Sequence, residues 1–219
     1  MKILAKTISY LFHPLFITVY SLDVIYFLHP FIFDNKEDKS KVIFIAYTIL
    51  STLIIPILAI ILMKNLNIIE TLKMEKKTER IGPLIVISIL YLWLFINYKN
   101  STELPLDFAA MMLGASFAVM SAFFINNFIK ISLHTLGMGS VISLLLILKY
   151  KLEYSGLSFK ISPASSVELS MDFLLIIVIL LAGVVGTSRL FLKAHTVKEL
   201  YLGYIVGFIT QFLAFNIIL

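Results

Sequence analysis

His195 and Glu199 stand four residues apart in the stretch Ser188-Arg189-Leu190-Phe191-Leu192-Lys193-Ala194-His195-Thr196-Val197-Lys198-Glu199. On a helix that spacing puts both side chains on one face. A carboxylate so placed accepts the Nδ1 proton of the imidazole and leaves Nε2 as a nucleophile. Arg189, six residues before His195, carries a planar guanidinium that suits phosphate oxygens. A second histidine, His134, follows Ser132 and Leu133 at the junction between two long apolar runs. A helix start there offers free backbone N–H groups and a positive dipole end to an anion, and a histidine beside it has the chemistry of a general acid. A third stretch, from Lys73 to Arg80, is rich in cations. It reads either as a phosphate clamp or as a polybasic anchor for anionic headgroups. Each of the other two also has a plainer reading, an interfacial turn with solvated charges for His195 and Glu199, and a capping histidine for His134.

These residues lie between charge-free runs. Residues 42–63 and 108–129 each give 22 uncharged residues, 200–219 give 20, and 81–98 and 131–148 give 18 each. Crossing a hydrocarbon core of about 30 Å takes about 20 residues at about 1.5 Å each. Residues 9–31 form a further apolar run interrupted by His13 and Asp23, and 173–188 one of 16 uncharged residues. The expectation is an all-α, polytopic helical bundle of six or seven spans. Residues 1–63 supply two N-terminal spans and 64–219 the core. The basic, apolar N-terminus is read as a retained first span, since no small-residue cleavage site follows it. Pro56 falls inside one of these runs, where a membrane helix tolerates a proline as a kink. The connectors are too short to hold an extramembrane domain, so the chemistry belongs to the bilayer edge.

Composition supports this. Sixty per cent of the 219 residues are hydrophobic and 14% are charged, with a mean hydropathy of +0.99. Soluble domains run at about 45–50% apolar and about 25% charged. A soluble domain, a disordered chain and a nucleic-acid-binding module are excluded. The bilayer is the expected partner. The formal charge of +5 fits headgroup contacts or an anionic substrate. With no cysteine, thiolate and disulfide chemistry are absent. With seven segments, the three chemistry-bearing stretches fall after the second, fourth and sixth, so all share one membrane face.

At these residues the chain resembles the type 2 phosphatidic acid phosphatase superfamily, whose motifs read Lys-x6-Arg-Pro, Pro-Ser-Gly-His and Ser-Arg-x5-His-x3-Asp. Lys73 and Arg80 keep the spacing of the first, Ser132 and His134 keep two positions of the second, and Ser188, Arg189, His195 and Glu199 keep the third with Glu for Asp. Gly203 and Gly207 follow the last histidine by eight and twelve residues, as glycines often do in the family. Here Ile81 and Gly82 separate Arg80 from Pro83, and the second motif lacks its Pro and Gly, with Leu133 in the latter place. The resemblance covers residues 73–207.

The resemblance implies a membrane lipid phosphate or lipid diphosphate phosphatase that needs no cofactor or metal. His195 would attack phosphorus and form a phosphohistidine, with Glu199 orienting it and His134 as acid and base. Lys73, Arg80, Ser132, Leu133 and Arg189 would bind the phosphate. A bacterial inner-membrane protein with its site facing the periplasm is the implied setting. Charge counts pull the other way, with 11 Lys and Arg on the motif face against seven on the other. Removing the three proposed phosphate ligands makes this eight against seven. The alternative is a catalytically weak homologue serving as a transporter or scaffold, with Asp23 as its intramembrane carboxylate.

Overall fold

The computed structural model describes residues 1–29, 38–72, 74, 76–162 and 165–219. The protein is an integral membrane helical bundle. Its helices are α1 (Lys2–Leu11), α2 (Pro14–Leu28), α3 (Asp38–Ile49), α4 (Ile55–Asn65), α5 (Ile81–Lys99), α6 (Leu106–Asn126), α7 (Leu133–Tyr150), α8 (Met171–Phe191) and α9 (Val197–Ile218). A π-helical turn, Leu50–Ile54, joins α3 to α4, and a 3-10 turn, Thr78–Arg80, leads into α5. Six helical stretches are long and apolar enough to cross a bilayer, and the bent α1–α2 pair makes a seventh if counted as one span.

The helices from α4 to α9 are apolar nearly all round, as spans are, whereas α1 carries Lys2 and Lys6 on one side. Large apolar side chains face outward along their length, with Ile176, Ile179, Leu180 and Val184 exposed on α8 and Ile205, Ile209 and Phe212 on α9. Lipid is the solvent for these surfaces, and helices satisfy their own backbone groups there. α6 is the most enclosed helix. Its Ala109, Ala110, Gly114, Ala118 and Ala122 let neighbouring backbones approach. α6 packs on α5 and α9, and α7 packs on α9 and α8.

The α7–α9 seam is closest. A Cβ added at Gly203 would lie 2.1 Å from Thr135 Oγ1, and one at Gly139 would lie 2.2 Å from the Tyr204 carbonyl oxygen. Across this seam Ser140 Oγ donates to the Gly207 carbonyl (3.0 Å). At the opposite end of the bundle His29 Nε2 donates to Asp107 Oδ2 (2.7 Å), which ties the end of α2 to the start of α6.

Three local features add detail to the expected bundle. The first apolar run is not one helix. It bends by 52° between α1 and α2, where Pro14 removes a backbone donor and His13 becomes an N-cap. The distortion near Pro56 takes the form of the π-helical turn just before it, because proline disrupts the hydrogen bonds of the preceding turn. The connector after α7 holds an antiparallel strand pair, β1 (Gly156–Ser162) with β2 (Ser165–Ser170), the only sheet among the described residues.

Candidate functional site

The turn between α8 and α9 sets the position of His195. Lys193 adopts a left-handed conformation (φ 53°), and the Ala194 N–H donates to the Arg189 carbonyl (3.1 Å), so α8 stops abruptly. Thr196 then caps α9. Its Oγ1 accepts from the Glu199 N–H (3.5 Å), while Glu199 Oε2 accepts from the Thr196 N–H (3.1 Å). This capping box fixes the Glu199 carboxylate at the helix start.

The same carboxylate oxygen lies 2.9 Å from His195 Nδ1, and the Lys130 carbonyl lies 3.2 Å from that nitrogen. Both partners only accept, so Nδ1 carries the proton and Nε2 bears the lone pair. The His195 side chain is 2% exposed. Burial, together with the charges of Arg80 and Arg189, holds its proton affinity below the ordinary histidine value, with the Glu199 bond opposing them. The unfolded chain therefore binds the His195 proton more readily. His195 costs the fold nothing above the ordinary value of 6.5 and destabilises it as pH falls below that value.

Arg80 comes in from the other side. The buried carboxylate of Glu79 accepts from the backbone N–H groups of Glu70 (2.9 Å), Thr71 (3.2 Å) and Lys76 (3.2 Å). It organises the loop that carries Arg80. Arg80 Nε donates to the Met74 carbonyl (3.1 Å) and Nη1 donates to the Ile131 carbonyl (2.9 Å). Its guanidinium thus braces the loop before α7 and also feels the charges of Arg189 and Glu199. Lys77 Nζ donates to the Asn127 and Phe128 carbonyls at the end of α6 (3.3 and 3.1 Å). Lys73 lies outside the described residues.

Ser132 opens α7 and is fully buried. Its N–H donates to the Glu199 carbonyl (3.3 Å), which joins the two helix starts. Its Oγ makes no capping bond and, like Arg189 Nε, has no partner among the described residues. Buried donors left unpaired cost about 1–3 kcal/mol each, so an acceptor brought to either one would be favoured. Arg189 Nη1 donates to Ser9 Oγ (3.2 Å). His134 Nε2 donates to the Ser9 carbonyl (3.0 Å), which leaves Nδ1 as its lone-pair nitrogen.

Arg80, Ser132, His134, Arg189, His195 and Glu199 thus form one cluster at one end of the bundle. Leu133 begins α7 there and lines a narrow apolar cleft bounded by α2, α5, α6, α7 and Gln211 of α9. Ser188 is not in the cluster, since its Oγ donates to the Val184 carbonyl one turn back (2.8 Å). Asp23 lines a separate small cleft between α2 and α3.

Sequence reading missed Ser9, His13 and Glu79. The Thr196-x-x-Glu199 pattern of the capping box was there to be read, and so was His13-Pro14 as a helix start. Comparison with protein-family models, with curated proteins and with solved structures returns no match to the chain.

Proposed function

We propose that the protein is a metal-independent phosphatase of lipid phosphates or lipid diphosphates, working at the membrane interface through a phosphohistidine. The observation that carries this reading is the pair of acceptors on His195 Nδ1, which leaves the lone pair on Nε2 of a buried imidazole that feels the charges of Arg80 and Arg189. In the first step Nε2 attacks phosphorus in line, the bond from phosphorus to the leaving oxygen breaks, and that oxygen takes a proton from Nδ1 of His134, which enters this step protonated on both ring nitrogens. In the second, water loses a proton to His134 and attacks phosphorus, and the N–P bond breaks to release phosphate. Arg80, Arg189 and Ser132 stabilise the charge that spreads over the equatorial oxygens.

The resemblance to type 2 phosphatidic acid phosphatases supports this assignment, and so does the apolar cleft. Leu133 and Pro14 line its wall, and they are the chain neighbours of Ser132, His134 and His13. A lipid whose head reacts at the cluster can keep its chains in apolar surroundings. A periplasmic site in a bacterial inner membrane is part of the same proposal. A cysteine placed at Lys76 in this cysteine-free chain, probed with an impermeant thiol reagent, tests the orientation.

Phosphate release from a panel of phosphatidate, phosphatidylglycerol phosphate, undecaprenyl diphosphate and lipid A phosphates tests the activity. Release from none of them, with transport of a labelled solute into proteoliposomes, would favour a transporter on the same fold. Glu199→Gln is expected to lower kcat by about 10²-fold or more with a much smaller change in KM, since it disturbs the tautomer of the nucleophile rather than phosphate contacts. An unchanged kcat would remove Glu199 from the mechanism. Because burial and the two arginines disfavour protonated His195, the acid limb of kcat/KM is expected below pH 6.5. A limb at or above that value would contradict the assigned nucleophile.

A further inference from the structure

The α1–α2 elbow lies outside every motif that carries the resemblance, yet it touches the cluster at three points. Ser9, in the last turn of α1, receives Arg189 Nη1 on its hydroxyl and His134 Nε2 on its carbonyl (3.2 and 3.0 Å). Four residues on, the His13 ring meets the His134 ring edge to face, with centroids 5.8 Å apart and planes at 80°. The His13 ring is itself held. Its Nδ1 accepts from the Leu15 N–H (3.4 Å) as the N-cap of α2, so its own proton sits on Nε2.

We propose that this elbow is a wall of the site and that His13 is the positioning residue for His134. The argument rests on the phosphatase reading only for the meaning of kcat. His134 must present its Nδ1 to the leaving group and later to water, and a carbonyl bond to Nε2 alone leaves the ring free to swing about that bond. The His13 ring packed against it removes this freedom. The break at the elbow is what makes this contact available: the His13 N–H bonds the Tyr10 carbonyl (3.2 Å) rather than the Ser9 carbonyl that a continuous α-helix would use, so the Ser9 carbonyl is left for His134.

His13→Asn tests the proposal, because Asn is a strong N-cap whose side-chain oxygen replaces Nδ1 while the ring is lost. Thermal unfolding in detergent should match the parent. His13→Gln is the second variant, used if His13→Asn unfolds early. The expected result is a fall in kcat of about 10–100-fold with KM within about twofold, as for a misplaced proton-transfer group. Imidazole ¹⁵N spectra should show His134 moving from the Nε2-protonated tautomer to a mixture. A folded variant with parental kcat would overturn the proposal and reduce His13 to a helix cap. If the parent releases phosphate from no lipid in the panel, the phosphatase reading fails separately. The spectra then decide alone: a redistributed His134 tautomer upholds the positioning role, and an unchanged one overturns it.

Discussion

His195→Ala is expected to abolish turnover of every lipid phosphate that the parent protein hydrolyses, by about 10³-fold or more in kcat. Glu199, Arg80 and Arg189 remain in this variant, so the phosphate site keeps its cations and substrate binding should persist. The loss should therefore fall on kcat. The replacement also deletes the bond to the Lys130 carbonyl, but the loop before α7 is still braced by Arg80 on Ile131 and by the Ser132 N–H on Glu199. The start of α9 keeps its capping box, which does not involve His195. The fold should survive, and a thermal transition close to the parental one would separate chemical from structural loss. Brief incubation with phosphorus-labelled lipid should leave acid-labile, base-stable label on the parent and none on His195→Ala. Undiminished turnover by the variant would sink the phosphatase assignment outright.

The spans were legible because lipid imposes a strong, simple rule. Uninterrupted apolar runs such as residues 108–129 and 200–219 have no other use, and α6 and α9 occupy them. The site was legible where its residues are close in sequence. Arg189, His195 and Glu199 share one turn and one helix start, and their spacing already implied the His195–Glu199 bond. The shared face of the three stretches followed from counting crossings, and the contacts of Arg80 with Ile131 and of Ser132 with Glu199 agree with it.

What sequence could not carry is long-range placement. Ser9 lies 125 residues from His134 and 180 from Arg189, and no local pattern joins them. The His13-Pro14 pair marked an interruption in the first apolar run, but nothing local gave the 52° between α1 and α2 or where each half would pack. Nor does residue type reveal the division of labour among donors. Arg80 was expected to face phosphate, yet two of its nitrogens hold backbone carbonyls, and its place beside Arg189 and Glu199 comes only with that bracing.

The second large effect is expected at a residue that carries no chemistry. Gly207→Ala should destabilise the bundle by about 1–3 kcal/mol, the usual range for forcing extra atoms into a packed seam. The added Cβ would fall 1.9 Å from the Leu136 carbonyl oxygen and 3.0 Å from the Ser140 backbone nitrogen. Both are backbone atoms of α7, so no side-chain rotation relieves the clash and the two helices must part. Parting them strains the Ser140 Oγ bond to the Gly207 carbonyl and, toward the helix starts, the Ser132–Glu199 bond that registers α7 against α9. His134 rides on α7, whereas His195 and its orienting carboxylate are fixed to the start of α9. The two therefore lose their mutual position, and activity should fall by about 10²-fold even in molecules that remain folded. Gly183→Ala is the matched control. On the outer side of α8 its added Cβ meets nothing within 4 Å, and replacing a helical glycine by alanine should be neutral or stabilising by about 0.5–1 kcal/mol. Thermal unfolding in detergent beside phosphate release reads both outcomes. If Gly207→Ala matched Gly183→Ala in stability and rate, the close α7–α9 seam would not be what holds the two histidines in register.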